Sequence, residues 1–175
     1  MKILVVTAAL SIVAAPLAAL ADPPKPLHVV ETVTVKAPLE RVWETVKNFD
    51  ALDKWHPALA KDELVKGVNN QPGAVRVLTI KDGPTVREEL LSFDEPGHAY
   101  AYKMTDPPFP FTHYRSQLHV TSAGAGKTLV RWSGTFKRKN AADNPPEAEG
   151  DAAAVKIVTG IYQGGLGNLK KLLEN

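Results

Sequence analysis

A chain of 175 residues, 44% of them hydrophobic, with a formal net charge of +2 and no cysteine, is long enough for one packed domain. The near-balanced charge excludes the broad basic surface that a nucleic-acid partner requires; only the short Lys137-Arg138-Lys139 run stands out. The missing cysteines exclude disulfides, cysteine-held iron–sulfur clusters and thiol catalysis, so stability rests on packing.

Met1-Lys2, the apolar run Ile3 to Leu20 and the Ala19-Leu20-Ala21 ending predict a secretory signal peptide over residues 1–21, cleaved before Asp22. Pro16 interrupts the run and no stop-transfer pattern follows it, so stable membrane insertion is not expected. Residues 22–175 then form a single domain. With an A-x-A site and no lipidatable cysteine, a bacterial source makes it a soluble periplasmic protein. Asp22-Pro23-Pro24-Lys25-Pro26 is an extended lead-in, too proline-rich for a helix or a central strand.

His28 to Val35 reads as a strand whose inward face the pattern leaves open. Residues 37–49 carry Leu39, Val42, Trp43, Val46 and Phe49 on one stripe, with Pro38 acceptable in a first turn, and predict a short helix. Ala74 to Ile80 is a second strand of unassigned face. In Thr85 to Phe93, Val86, Glu88, Leu90 and Ser92 share a side, which sets Glu88 among apolar neighbours, although Leu91 and Phe93 disturb the phase. Tyr100, Tyr102 and Met104 fall together in the next strand. Pro107-Pro108-Phe109-Pro110 is a stiff loop. From Thr112 to Ser122 the alternation is clean: Tyr114, Ser116, Leu118 and Val120 on one face, His113, Arg115, Gln117 and His119 on the other. After the hairpin turn at Gly124-Ala125-Gly126, Val130, Trp132 and Phe136 repeat that pattern. A polar loop over 140–150 precedes a long amphipathic helix from Asp151, with Val155, Val158, Ile161, Tyr162, Leu166, Leu169 and Leu172 or Leu173 on its apolar face.

Gly160, Gly164, Gly165 and Gly167 lie inside that helix, each costing about 1 kcal/mol against alanine. Close approach to other backbone, or room for a ligand, would offset the cost; a kink at Gly164-Gly165 is the alternative. On the first reading, Gly164→Leu is expected to destabilise. The order strand, helix, about six strands and long helix gives an α+β fold, a curved antiparallel sheet of about seven strands around the last helix. An internal cavity between them is the default ligand site, bordered by the 107–110 and 140–150 loops.

This order resembles the helix-grip fold of the START, Bet v 1 and polyketide cyclase (SRPBCC) superfamily. Within it the chain is similar to periplasmic methanol-oxidation accessory proteins of the MxaD type. The matching segments are Phe49-Asp50 through Trp55-His56-Pro57, Gly73 to Arg76, Arg87-Glu88, Tyr114-Arg115-Ser116, Asn144-Pro145-Pro146 and the glycine-bearing helix from Ala152 to Leu169. The resemblance implies a non-enzymatic protein that assists a quinoprotein methanol dehydrogenase and its cytochrome c. Pocket positions of the plant abscisic acid receptors, also in the superfamily, correspond approximately to His56, Arg76, Glu88, Tyr102, Tyr114, Ser116, Trp132 and Asn168. His56 stands where those receptors place a lysine.

Each candidate also has a structural reading. His56 is either a titratable group facing a ligand or a turn cap. Glu88 needs a partner if buried, and Arg76 is the best placed, as a sheet-fixing pair or a ligand-facing one. The tyrosines and Trp132 are core aromatics whose polar atoms need partners. No Ser-His-Asp arrangement, metal spacing among the five histidines or phosphate loop is present, so no catalytic residue, metal or cofactor is expected. The expectation is an accessory protein, with a small hydrophobic ligand as a further partner. The alternatives are a carrier of lipid-like or aromatic molecules and a cyclase-like enzyme using His56 and Glu88.

Overall fold

The computed structural model describes residues 23–175, and the signal-peptide expectation lies outside them. Seven antiparallel strands form one sheet in the order β1-β7-β6-β5-β4-β3-β2. They are β1 (Leu27–Val35), β2 (Leu59–Lys66), β3 (Val75–Ile80), β4 (Thr85–Asp94), β5 (Ala99–Thr105), β6 (Phe111–Ser122) and β7 (Thr128–Arg138). Helix α1 (Leu39–Val46) follows β1, and α2 (Asp151–Glu174) ends the chain, lying against β1 and β7. This is the α+β helix-grip architecture. Among the described residues no helix is long and apolar enough to cross a membrane.

Sequence periodicity positions most of these elements. Every second residue of β6 from Tyr114 to Val120, and of β7 from Thr128 to Phe136, is buried on the inner side of the sheet, so the alternation marks the core face. The two undecided strands resolve with Val29 and Val35 buried in β1 and Arg76 and Leu78 in β3. Helix α1 is shorter than the 37–49 stripe; Val42, Trp43 and Val46 are buried, and Phe49 enters the core from the following turn. Burying such side chains contributes about 1.5–3 kcal/mol each.

In β4 and β6 a β-bulge breaks the period of two, and the one in β4 corrects the expectation that Ser92 shares the inward face. In β4 the pairing slips between Leu90 and Ser92, so Leu91 is the extra residue: Val86, Glu88 and Leu90 face inward, Ser92 is exposed, and Phe93 packs on Trp43. In β6 the register shifts between Thr112 and Arg115, where His113 has φ 54, and both Phe111 and Tyr114 thereby reach the core. The strand β2 matches none of the sequence runs. Its Lys-Asp-Glu-Leu-Val-Lys composition reads as loop because it is the sheet edge, with only Leu59 fully buried.

The glycines of α2 do not behave alike. A Cβ on Gly165 would come within 2.7 Å of His56 Cδ2 and 2.8 Å of Trp132 Cζ3, so this residue lets the helix settle onto the aromatics. Gly160, Gly164 and Gly167 meet nothing within 4 Å and are exposed on the outer side of an uninterrupted helix. Close packing therefore does not account for Gly164, and the expectation that Gly164→Leu destabilises is overturned.

Candidate functional site

Between the inner face of the sheet and the first half of α2 lies a cavity of about 210 Å³, walled almost entirely by apolar atoms. Strands β2 to β7 supply its floor, Ile157 and Ile161 of α2 its roof, and the turn at Ala58 and the Phe109 loop complete the wall. Of the eight sequence candidates, His56, Glu88, Tyr102, Tyr114 and Trp132 line it. Arg76, Ser116 and Asn168 are not among the residues that line it. The 140–150 loop instead borders a separate hollow with Pro110 and Lys139.

His56 is 5% exposed and both ring nitrogens are engaged: Nε2 lies 2.9 Å from the Ile161 carbonyl of α2, and Nδ1 accepts from the Ala58 amide at 3.3 Å. That pairing makes Nε2 the protonated nitrogen of a neutral imidazole. Burial lowers its pKa from the ordinary 6.5, which keeps the ring neutral. The side chain ties the turn after the 3₁₀ segment Leu52–Lys54 to α2. Asn168 does the same work nearby, its amide donating to the Trp55 carbonyl at 2.9 Å.

Glu88 and Arg76 face each other across β3 and β4, as strand adjacency suggested. Arg76 Nε and Nη2 both donate to Glu88 Oε2, at 2.9 and 2.6 Å, while Nη1 reaches the Phe49 carbonyl and, at 3.2 Å, Asp62 Oδ2. The guanidinium also lies 4.2 Å from the Phe49 ring centroid. Burial pushes the Glu88 carboxyl up, and Arg76 pulls it back only in part. Asp62 is pushed up to about 6 by burial, against Arg76 and the Leu52 amide. Its Oδ1 is buried without a partner, so one carboxylate oxygen of this charged cluster is unsatisfied. Sequence reasoning missed Asp62 because an acid in a polar edge segment reads as solvent-exposed.

A second buried group is neutral, and its proton directions follow from one fixed acceptor. Ser116 Oγ donates to the Ser133 carbonyl at 3.0 Å, which uses its single proton. Tyr162 OH must then donate to Ser116 at 2.8 Å, and Tyr114 OH to Tyr162 at 2.7 Å. Trp132 Nε1 donates to Ser116 and to Tyr102, both at 3.0 Å. Trp132 and Tyr162 stack with centroids 4.6 Å apart, and Gly134 makes this possible because a Cβ there would overlap the Tyr162 hydroxyl. Burial pushes the Tyr102, Tyr114 and Tyr162 hydroxyls above their ordinary range. Tyr162 was legible as a core position but not as the hub, since its partners come from a strand more than 40 residues away.

The fold recurs in other proteins. The chain is 25% identical over 143 residues to the abscisic acid receptor PYL10 of Arabidopsis thaliana, covering 80% of this chain and 75% of the receptor. An uncharacterised protein from Bacillus thuringiensis superposes with a TM-score of 0.73 at 31% identity, over 85% of this chain and 100% of that one. The ZhuI aromatase/cyclase of a Streptomyces species shares the fold, with a TM-score of 0.68 at 20% identity, over 86% of this chain and 94% of that one. The profile of one family, described as polyketide cyclase / dehydrase and lipid transport, matches residues 26–174. With the match spanning every strand and the whole of α2, the chain belongs to the polyketide cyclase/dehydrase and lipid transport family.

Proposed function

We propose that the protein is a non-enzymatic periplasmic binding protein whose cavity takes a small, uncharged apolar molecule. It would serve as an accessory protein of the MxaD type to a quinoprotein methanol dehydrogenase and its cytochrome c. The observation that carries the binding role is the apolar wall of the cavity: the polar atoms around it are turned to one another, and the imidazole has no free nitrogen. At about 210 Å³ the space is smaller than the roughly 300–1,000 Å³ of drug-sized sites. An engineered apolar cavity of about 150 Å³ holds benzene, so a substituted benzene or a short alkyl chain is the matching size. The accessory role rests on the resemblance of the Asn144-Pro145-Pro146 and Ala152 to Leu169 segments.

Native mass spectrometry of the protein from periplasm, alone and with methanol dehydrogenase and its cytochrome, tests both parts. A co-purifying apolar small molecule supports the binding role, and a complex with either redox protein supports the accessory role. If toluene and indole raise neither the melting temperature nor the mass, the cavity is not a ligand site. One feature favours a second reading, cyclase-like catalysis: Glu88 lines the cavity with its carboxyl pushed up by burial, as acid–base groups often are. Turnover of an aromatic polyketide that Glu88→Gln abolishes would establish that reading in place of the first.

A further inference from the structure

The outer face of the sheet, opposite the cavity, is hollowed into a groove of about 470 Å³ across β1, β7, β6, β5 and β4. Val30, Leu91 and Ala101 give it an apolar floor, with Val30 46% exposed, and His28, Arg115 and Arg131 rise beside it. No carboxylate lines the groove. The strand register sets Arg115 opposite Lys103 and Arg131 opposite His119. Glu89, on the neighbouring strand, is taken by Lys103 at 3.0 Å. Among the described residues neither Arg115 nor Arg131 forms a salt bridge, whereas Lys103 beside Arg115 does. Nearly balanced overall charge therefore hides a segregated one.

From this charge pattern we infer that the outer face of β1, β7 and β6 is a docking surface for an acidic protein partner. The fitting partner presents an apolar side chain flanked by carboxylates. Arginine beside a shallow apolar floor is the composition of interface centres, and carboxylates from a partner supply Arg115 and Arg131 with the counter-charge that the groove lacks. The surface is separated from the cavity by the thickness of the sheet, so it stands whether or not the cavity holds a ligand.

A synthetic Glu-Glu-Leu repeat peptide tests the inference on the purified protein, by titration calorimetry and by amide shifts in NMR. Binding should weaken with salt, and the shifts should fall on β1, β6 and β7. The pair Arg115→Glu with Arg131→Glu should weaken binding by about tenfold or more. The milder pair Arg115→Gln with Arg131→Gln should give an intermediate loss with an unchanged melting temperature. No binding by the parent, equal binding by the charge-reversed variant, or shifts confined to α2 or β2 would overturn it. So would tighter binding to vesicles of equal parts phosphatidylglycerol and phosphatidylcholine, which would make the surface a membrane contact.

Discussion

The inner face of the sheet buries two polar groups that solve the same problem in opposite ways. Beneath α2, Tyr102, Tyr114, Ser116, Trp132 and Tyr162 form a neutral chain that ends on a backbone carbonyl. Beneath the 49–62 segment, Arg76 holds Glu88 and Asp62 in a charged cluster with one carboxylate oxygen unpartnered. The neutral chain carries no ionisation that changes near neutral pH, because burial moves its phenols further from it. The charged cluster contains Asp62, whose carboxyl burial pushes up to about 6, so this cluster, unlike the neutral chain, changes charge at mildly acidic pH. Burying polar atoms costs less when neutral groups hydrogen-bond one another than when charge must be balanced in a dry place.

Arg76→Met tests the charged side hardest. It leaves Glu88 and Asp62 buried without their cation, and removal of one partner from such a group costs about 3–5 kcal/mol. Urea unfolding should show that loss, and adding Glu88→Gln should recover a large part of it. Full additivity of the two losses would mean that the pair does not act as a unit.

Asp62→Asn addresses the sign of the pH effect. The folded pKa is about 6 against 3.8 for the free group, so between those values the folded state keeps a proton that the unfolded state has lost. Stability from this group therefore declines as pH rises from about 4 to about 6 and is flat above, a difference of about 2–3 kcal/mol. His56 acts the other way, since its lowered pKa disfavours the folded state as pH falls below 6.5. The informative quantity is the variant minus the parent: the substitution should remove a falling slope. Identical slopes in both proteins would show that Asp62 is already neutral or already free of the burial cost.

On the neutral side, Tyr162→Phe removes one oxygen on which two neighbours depend. The Tyr114 proton loses its acceptor and Ser116 loses a donor, for a cost of about 1–2 kcal/mol with no change in pH profile. A pH-dependent loss would mean that the two groups are coupled through Tyr102, whose ring lies 5.3 Å from the Arg76 guanidinium.

What the sequence made legible follows the same division. The central strands β6 and β7 declare their inward faces because one side meets α2 and the other water, and hydrophobic alternation records that directly. The Arg76 and Glu88 pairing was readable because both sit on adjacent strands with few alternatives. The edge strand β2 was not, since an edge needs little apolar surface. The bulge at Leu91 shifts the phase within one strand, and only the register shows where. The two hydrogen bonds that occupy His56 include one to Ile161, 105 residues away, so no local pattern distinguishes a committed imidazole from a free one. Direction of donation is a property of the closed network. It becomes visible only when Ser133 supplies the fixed acceptor.

The adjacent glycines of α2 give the finest discrimination. Gly165 rests on Trp132, Trp55 and His56, and a methyl group there must displace buried rings, a cost of about 1–3 kcal/mol. Gly164 points into open space one residue earlier, so Gly164→Ala gains helix propensity of about 1 kcal/mol and displaces nothing. Thermal unfolding of the two single variants should therefore move in opposite directions from one parent. If Gly164→Ala lowered the melting temperature too, the outer face of α2 would have to be covered by something that its exposure in this structure does not show. Should Gly165→Ala leave the melting temperature unchanged, the rings beneath it can shift, and the cavity they border is softer than its packing suggests.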